Sequence, residues 1–390
     1  MIVEYPKNFK FFLKKVSLFF LPIMAIFLIL EVLAFYSGEL KPVKEVINLQ
    51  SYGGKEIIFG REIADQSIRK YKYLSVLSKK PEVLVLGSSR VMQIRKEMFD
   101  VNTRFYNAGG IAHNIADIVD FMRLLPDNTK PKTIILGVDF YWFGDRSDLI
   151  YGVSNDLKKI DDSYQWRAHL YVDRFLLLQI IEDPSYIAKI LDRKDPIGGE
   201  FPIGLQALSG DGFRDDGSYQ YGSYIRESED GIGYIDREET LDRIKYGTSP
   251  FKRGSVFNEE RLNLLSEFLR ISQEKGIKVI GFAPPFSAEV LNSLENSVYH
   301  KELLSSFETR VPEIFTKFGF SFFNYSDQSS LNINNLYMFD GMHSSETAMA
   351  GMLLNISDSL GLRADNHYKL APDLLTKLSD KNTTSIQINW

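Results

Sequence analysis

Two short stretches carry residue types that could do chemistry together. The first is Glu82-Val83-Leu84-Val85-Leu86-Gly87-Ser88-Ser89-Arg90, an unbroken apolar run that stops abruptly at Gly-Ser-Ser. Such a run fits a parallel strand buried on both faces. Gly87 permits a tight turn, and Ser88 or Ser89 is placed to cap whatever follows. In an open α/β sheet the carboxyl ends of the strands are where reactive side chains collect, so a serine there could equally be a nucleophile. The second stretch is Met338-Phe-Asp340-Gly-Met-His343, in a loop ahead of a helix opened by Ser344-Ser345-Glu346. Arg90, beside the serines, could hold an anionic sugar or phosphate group or make a surface salt bridge. His113 is a second histidine in reach of such chemistry, or a loop histidine with no role.

The elements that must position these residues follow an α/β rhythm. After the Val83 strand, Thr103-Arg-Phe-Tyr-Asn-Ala reads as a second strand, broken by Gly109-Gly110. Ile115, Ile118, Val119 and Met122 then recur at helical spacing. Lys132-Thr-Ile-Ile-Leu-Gly137 repeats the first strand's design. Further on, Glu259–Lys275 forms an amphipathic helix with Leu262, Leu265, Phe268 and Leu269 on one face, ended by Gly276. Ile277–Ala283 and Phe320–Asn324 supply two more strands, and a final helix runs to about Leu360. Strands alternating with helices predict a doubly wound parallel sheet. Residues 140–257, rich in Tyr, Asp, Gly and Arg, interrupt the rhythm as a large insertion at a strand end. It reads as an elaborated loop region or small subdomain whose aromatic residues either stack on sugar rings or pack an accessory core.

Length and composition bound the rest. The chain has 390 residues, enough for one large or two ordinary domains, with apolar and charged fractions of an ordinary globular protein. A net charge of -5 argues against a general nucleic-acid binder. With no cysteine, disulfides and thiolate metal sites are excluded. No metal-ligand spacing or nucleotide loop appears, so no cofactor is expected. Lys7, Lys10, Lys14 and Lys15 precede an apolar run from Val16 to Tyr36. That run spans roughly 31 Å, enough to cross a bilayer. Pro22 is tolerable in a membrane helix, and Glu31 lies near the distal end. The lysines should stay cytoplasmic. The expected division is a basic segment over 1–15, a single-pass signal anchor over 16–36, and a linker with a lead-in helix over 37–80. An α/β domain follows over 81–365, then a peripheral tail over 366–390. Gly53-Gly54 is read as a turn and Ala64–Leu77 as the lead-in helix.

Taken in order, a serine after the first strand, a glycine-containing second loop, a third strand ending Gly137-Val138-Asp139 and a late Asp340-x-x-His343 resemble the SGNH/GDSL hydrolase superfamily. The resemblance covers about residues 82–140 and 258–360. It implies a flavodoxin-like three-layer sheet with Ser89 as nucleophile, His343 as general base and Asp340 orienting His343. Gly-Ser-Ser-Arg with an N-terminal anchor looks like the bacterial envelope branch, often linked with adding acyl groups to surface polysaccharide or removing them. The implied partners are a cell-surface glycan or acylated carbohydrate, the membrane through the N-terminal helix, and a membrane-bound O-acyltransferase. The implied place is the cytoplasmic membrane with the folded domain facing the periplasm or exterior. The family's oxyanion donors map onto the Ser89 backbone and the Gly109, Gly110, Ala112 loop. Asp139 stands where the family has asparagine, and an ionised carboxylate cannot donate. Three readings are open: Asp139 is protonated, Asn114 substitutes, or the protein is a weak hydrolase. On the view that Asp139 sits in the oxyanion hole, Asp139→Asn should speed ester hydrolysis. The competing function is a non-catalytic envelope-assembly factor that keeps the fold and binds glycan or an acyltransferase partner.

Overall fold

The computed structural model describes residues 7–52, 56–62, 68–145, 166–194, 201–226, 237–331, 337–361, 368–380, 383–384, 387–388 and 390. In chain order, helix α1 (Lys7–Ser37) is followed by α2 (Val43–Tyr52), strand β1 (Ile57–Phe59) and α3 (Ile68–Lys79). Next come β2 (Val83–Gly87), β3 (Phe105–Gly109), α4 (Ile115–Leu124) and β4 (Thr133–Gly137). The segment after β4 holds α5 (Trp166–Glu182), α6 (Tyr186–Asp192), β5 (Phe201–Ile203), β6 (Asp211–Phe213), β7 (Tyr219–Tyr221), α7 (Gly222–Arg226) and α8 (Arg237–Tyr246). The chain then runs through α9 (Glu259–Glu274), β8 (Lys278–Ala283), α10 (Ala288–Asn296), α11 (Lys301–Lys317), β9 (Ser321–Asn324), α12 (Glu346–Ser359) and α13 (Leu374–Leu378).

The larger sheet is five-stranded and wholly parallel, in the order β3-β2-β4-β8-β9. Counted within this sheet alone, that is the doubly wound order 2-1-3-4-5, whose switch point lies between its first and third strands. The apolar runs are unbroken because both faces are covered. Leu84, Leu86, Ile134 and Leu136 point into one core, filled by α4, α9 and α11, and Val83, Val85 and Ile135 point into another, filled by α12. Period-two alternation within each strand sorts its side chains between the two cores.

A second, four-stranded sheet has the order β5-β1-β6-β7, with β1 parallel to β5 and antiparallel to β6. It corrects the reading of residues 37–80 as a linker. Val43, Val46 and Ile47 of α2, Ile57 and Phe59 of β1 and Tyr71 of α3 are core residues there, packed with Ile203 and Phe213. The segment before the main domain and the segment after β4 thus build one layer together. The lead-in helix is present over Ile68–Lys79; Gly53-Gly54 and residues 64–67 lie outside the described residues. The C-terminal region is not peripheral either. Tyr368, Leu374 and Ile388 are buried in the second core, and Trp390 Nε1 donates to Glu346 at 2.6 Å. Among the described residues one helix is long and apolar enough to cross a membrane: α1, over Phe11–Ser37, with a mean hydropathy of 2.7.

Candidate active site

Ser89 opens a single 3-10 turn, Ser89–Val91, directly after β2. Three features fold the chain so tightly here. Gly87 has φ +152, and a Cβ on it would stand 3.1 Å from Gly137 O and from both Val91 methyls. A Cβ on Gly137 would meet Val91 Cγ1 at 2.2 Å, so only glycine at the end of β4 leaves room for the turn. The Ser88 hydroxyl accepts from Arg90 N at 3.2 Å and caps the turn. The two serines therefore divide the roles that the sequence left open: Ser88 is buried and capping, and Ser89 faces the histidine.

Ser89 Oγ and His343 Nε2 are 2.7 Å apart, and His343 Nδ1 is 2.7 Å from Asp340 Oδ2. The second Asp340 oxygen accepts from the backbone N–H of Met342 at 2.9 Å and of His343 at 2.8 Å, fixing the loop that carries the histidine. Thr240 of α8 donates to the Asp340 carbonyl at 2.9 Å. Burial raises the pKa of Asp340, but the His343 charge and the hydrogen bonds from His343 and Met342 outweigh it and hold the carboxyl well below its ordinary range. Asp340 is thus an acceptor-only carboxylate that keeps a proton on His343 Nδ1 and leaves Nε2 as the acceptor towards Ser89. His113 is exposed and takes no part in this relay.

Arg90 makes a salt bridge, one of its two expected roles, but a buried one, and its partner is Asp139. Both are about 1% exposed, and Arg90 Nη1 meets Asp139 Oδ1 at 2.7 Å. Arg90 Nη2 donates to Pro284 O and Pro285 O, each at 2.7 Å, and Nε donates to Met342 O at 3.0 Å. Its guanidinium lies 3.7 Å from the Phe286 ring centroid. One planar fork therefore ties the ends of β4 and β8 to the histidine loop, from the residue next to Ser89. An anion has no access to it, and Asp139 is a structural counter-ion rather than a member of an oxyanion hole. The expected gain from Asp139→Asn loses its basis. Tyr141 packs beside this pair; burial first, then the Asp139 charge, raise its phenol well above the usual value.

The second loop also departs from expectation. Gly109 N donates to Asn107 Oδ1 at 2.7 Å, and Gly110 N donates to Ser88 O at 2.9 Å. Ala112 N donates to Gly87 O at 3.3 Å. These three amides are engaged in holding the loop against the serine turn. Asn114 caps α4 through its side-chain oxygen, which accepts from Ala116 N at 2.8 Å. Its carboxamide nitrogen donates no hydrogen bond among the described residues. The Ser89 N–H opens its turn, where a helix offers no acceptor of its own. Asn107 organises the arrangement: fully buried, it donates to Val91 O at 2.9 Å and Ile94 O at 2.8 Å while accepting from Gly109.

A cavity of about 350 Å³ lies on the far side of Tyr221 from His343 and is lined by none of the relay residues. Asp211, Tyr219, Tyr221, Ser223 and Tyr224 form one wall, and Phe175, Gln179 and Tyr186 form another. The Tyr221 ring lies 4.7 Å from Phe339, tilted 39° to it, and 6.1 Å from the His343 ring, so one cavity-lining side chain neighbours the base. Burial, then Tyr219 and Asp340, raise the Tyr221 phenol well above its ordinary pKa, so it lines the cavity as a neutral hydroxyl. Rings mixed with amide, hydroxyl and carboxylate groups suit a polar molecule with apolar faces. The tyrosine cluster over 219–224 signalled this in the sequence, but Phe339 did not.

No protein-family model and no curated protein matches the chain. The geometry carries the assignment of a class: a parallel α/β domain with a Ser-His-Asp relay at the carboxyl edge of its sheet.

Proposed function

We propose that the protein is a membrane-anchored serine acyl-ester hydrolase or O-acyltransferase of SGNH/GDSL type. Its folded domain faces outward from the cytoplasmic membrane and acts on acylated envelope polysaccharide. The observation that carries this reading is the unbroken relay of 2.7 Å contacts from Ser89 Oγ through His343 to Asp340. The 2-1-3-4-5 strand order, with Ser89 at the end of the sheet's first strand, supports it further.

In this reading Ser89 Oγ attacks the ester carbonyl while its proton passes to His343 Nε2. The carbonyl π pair moves to oxygen, where the Ser89 N–H and the Asn114 carboxamide are the donors. Collapse expels the sugar alkoxide, which takes the proton from His343 and leaves acyl-Ser89. Water then gives hydrolysis, or a sugar hydroxyl gives transfer, by the same steps in reverse. Asp340 holds the imidazolium throughout.

The engaged amides of Gly109, Gly110 and Ala112 favour a second reading, an assembly factor that retains the fold and binds glycan or an acyltransferase partner without turnover. Removing one oxyanion donor typically costs about 10²–10³ in rate. Hydrolysis of an aryl acetate by the purified full chain, set against Ser89→Ala, decides between them. The enzyme reading predicts turnover above the Ser89→Ala blank and an acetyl adduct on Ser89. Equal rates in the two proteins would leave the binding reading.

A further inference from the structure

Outside α1, twelve large hydrophobic side chains are exposed among the described residues, and six of them sit on the α5–α6 pair. Leu170, Tyr171, Leu177, Leu178 and Ile181 fall on one stripe of α5, at spacings of roughly two turns and one, and Leu191 follows on α6. The opposite stripe of α5 is used differently. Val172 and Leu176 are buried against Leu30, Leu33 and Ala34 of α1, while Phe175 and Gln179 line the cavity. A helix apolar on both stripes belongs inside a protein or against lipid, and none of the described residues covers the outer stripe.

What covers it follows from α1, read as spanning the bilayer. From Phe11 to Ile29 its large apolar side chains stand free of the folded domain, and burial begins at Leu30. Counted from Val16, the first residue after the lysines, to Ile29, fourteen helical residues cover about 21 Å, short of the roughly 30 Å of a hydrocarbon core. The packing of α1 onto α5 and α6 therefore starts within the outer part of the acyl-chain layer. At that level Glu31, a costly group in lipid, is held by His169 Nδ1 of α5 at 2.8 Å. Arg174, exposed within the stripe four residues from Leu170 and four from Leu178, has the length to reach headgroups while its stem lies on apolar surface.

We propose that α5 and α6 lie in the interface of the bilayer that α1 crosses, on the side of the folded domain, with the Leu170–Ile181 stripe among the lipid chains. The cavity lies on the other side of α5, whose diameter is about 10 Å. Its occupant is thus met at the membrane surface, which suits a glycan still attached to lipid over one free in solution.

The chain has no cysteine, so one introduced thiol labels uniquely. Full-length Leu178→Cys, Met24→Cys and Val298→Cys, each carrying an environment-sensitive NBD fluorophore, would be placed in nanodiscs of phospholipid alone. Doxyl-labelled lipid and aqueous iodide are the two quenchers. The expected result is loss of most emission to doxyl lipid, and shielding from iodide, at positions 24 and 178, with the reverse at 298. Position 24 in lipid with 178 as open to iodide as 298 would overturn the proposal while leaving α1 in the bilayer. Shielding of 178 from both quenchers would overturn it in favour of a protein covering the stripe. Position 24 open to iodide would remove the spanning reading, and the proposal with it.

Discussion

At the residue scale, the roles separate through contacts only the folded chain makes. Ser88 and Ser89 are identical letters, yet one caps a turn and the other meets His343 at 2.7 Å. The order of the relay residues was legible because each stands beside a local signal, a strand end or a helix cap. The Arg90–Asp139 pair was not, because a buried ion pair has no periodicity and depends on the convergence of β2, β4 and β8. The engaged amides of the second loop were equally invisible, since backbone hydrogen bonds leave no mark on residue type. Removing one partner of a buried pair leaves the other charge uncompensated, at a cost of about 3–5 kcal/mol. Asp139→Asn should therefore lower stability by an amount of that order, read as a shift in a thermal or urea melt, with hydrolysis falling or unchanged. Faster hydrolysis with undiminished stability would return Asp139 to the oxyanion hole.

At the element scale, the elements of the main sheet were legible and those of the segment after β4 were not. The buried run of β2 and the amphipathic stripe of α9 carry their own periodicity. The strands of the smaller sheet are three residues each, and β1 finds its partner across the register Ile57↔Phe201. No local pattern specifies such a pairing. Where elements meet at the serine turn, space is the controlling quantity. Gly137→Ala should disturb the turn by driving a methyl into Val91, with overpacking worth about 1–3 kcal/mol, and should slow acylation of Ser89. Val91→Ala in the same chain should restore part of the rate, because the clashing methyls are gone. No rescue would mean that the turn is set by something other than this contact. The two layers also meet at Lys72, fully buried, whose Nζ donates to the carbonyls of Asn107 and Gly217. Burial lowers its pKa well below the ordinary lysine value, against the opposing pull of Asp216. Between that lowered value and the unfolded value of about 10.4, the unfolded chain binds more protons, so stability rises with pH through this window. The stability of the wild type relative to Lys72→Met should accordingly rise from neutral pH towards pH 10. A flat difference would contradict a lowered pKa.

At the scale of the whole molecule, the long apolar helix α1, the small sheet and the relay form one continuous path. The end of α1 packs on α5, α5 walls the cavity, and the cavity reaches His343 through Tyr221. Composition indicated the long apolar helix, and the alternation of strands and helices indicated the main sheet. Neither indicated that residues on both sides of the main domain's first strands would join into one layer over the site. If the lysines ahead of Val16 stay cytoplasmic, protease added to intact spheroplasts should digest the region after Ser37. Full protection until lysis would reverse the orientation.

The central claim is that Ser89 is an activated nucleophile. It is tested most directly by exposing the purified full chain to a fluorophosphonate and locating the adduct by mass spectrometry. A single adduct on Ser89 is expected in the wild type and in Ser88→Ala, and none in Ser89→Ala. His343→Ala should be nearly as impaired as Ser89→Ala, because members of one relay act as a unit. An adduct that persists in Ser89→Ala, or a folded wild type that takes up no label, would contradict the account.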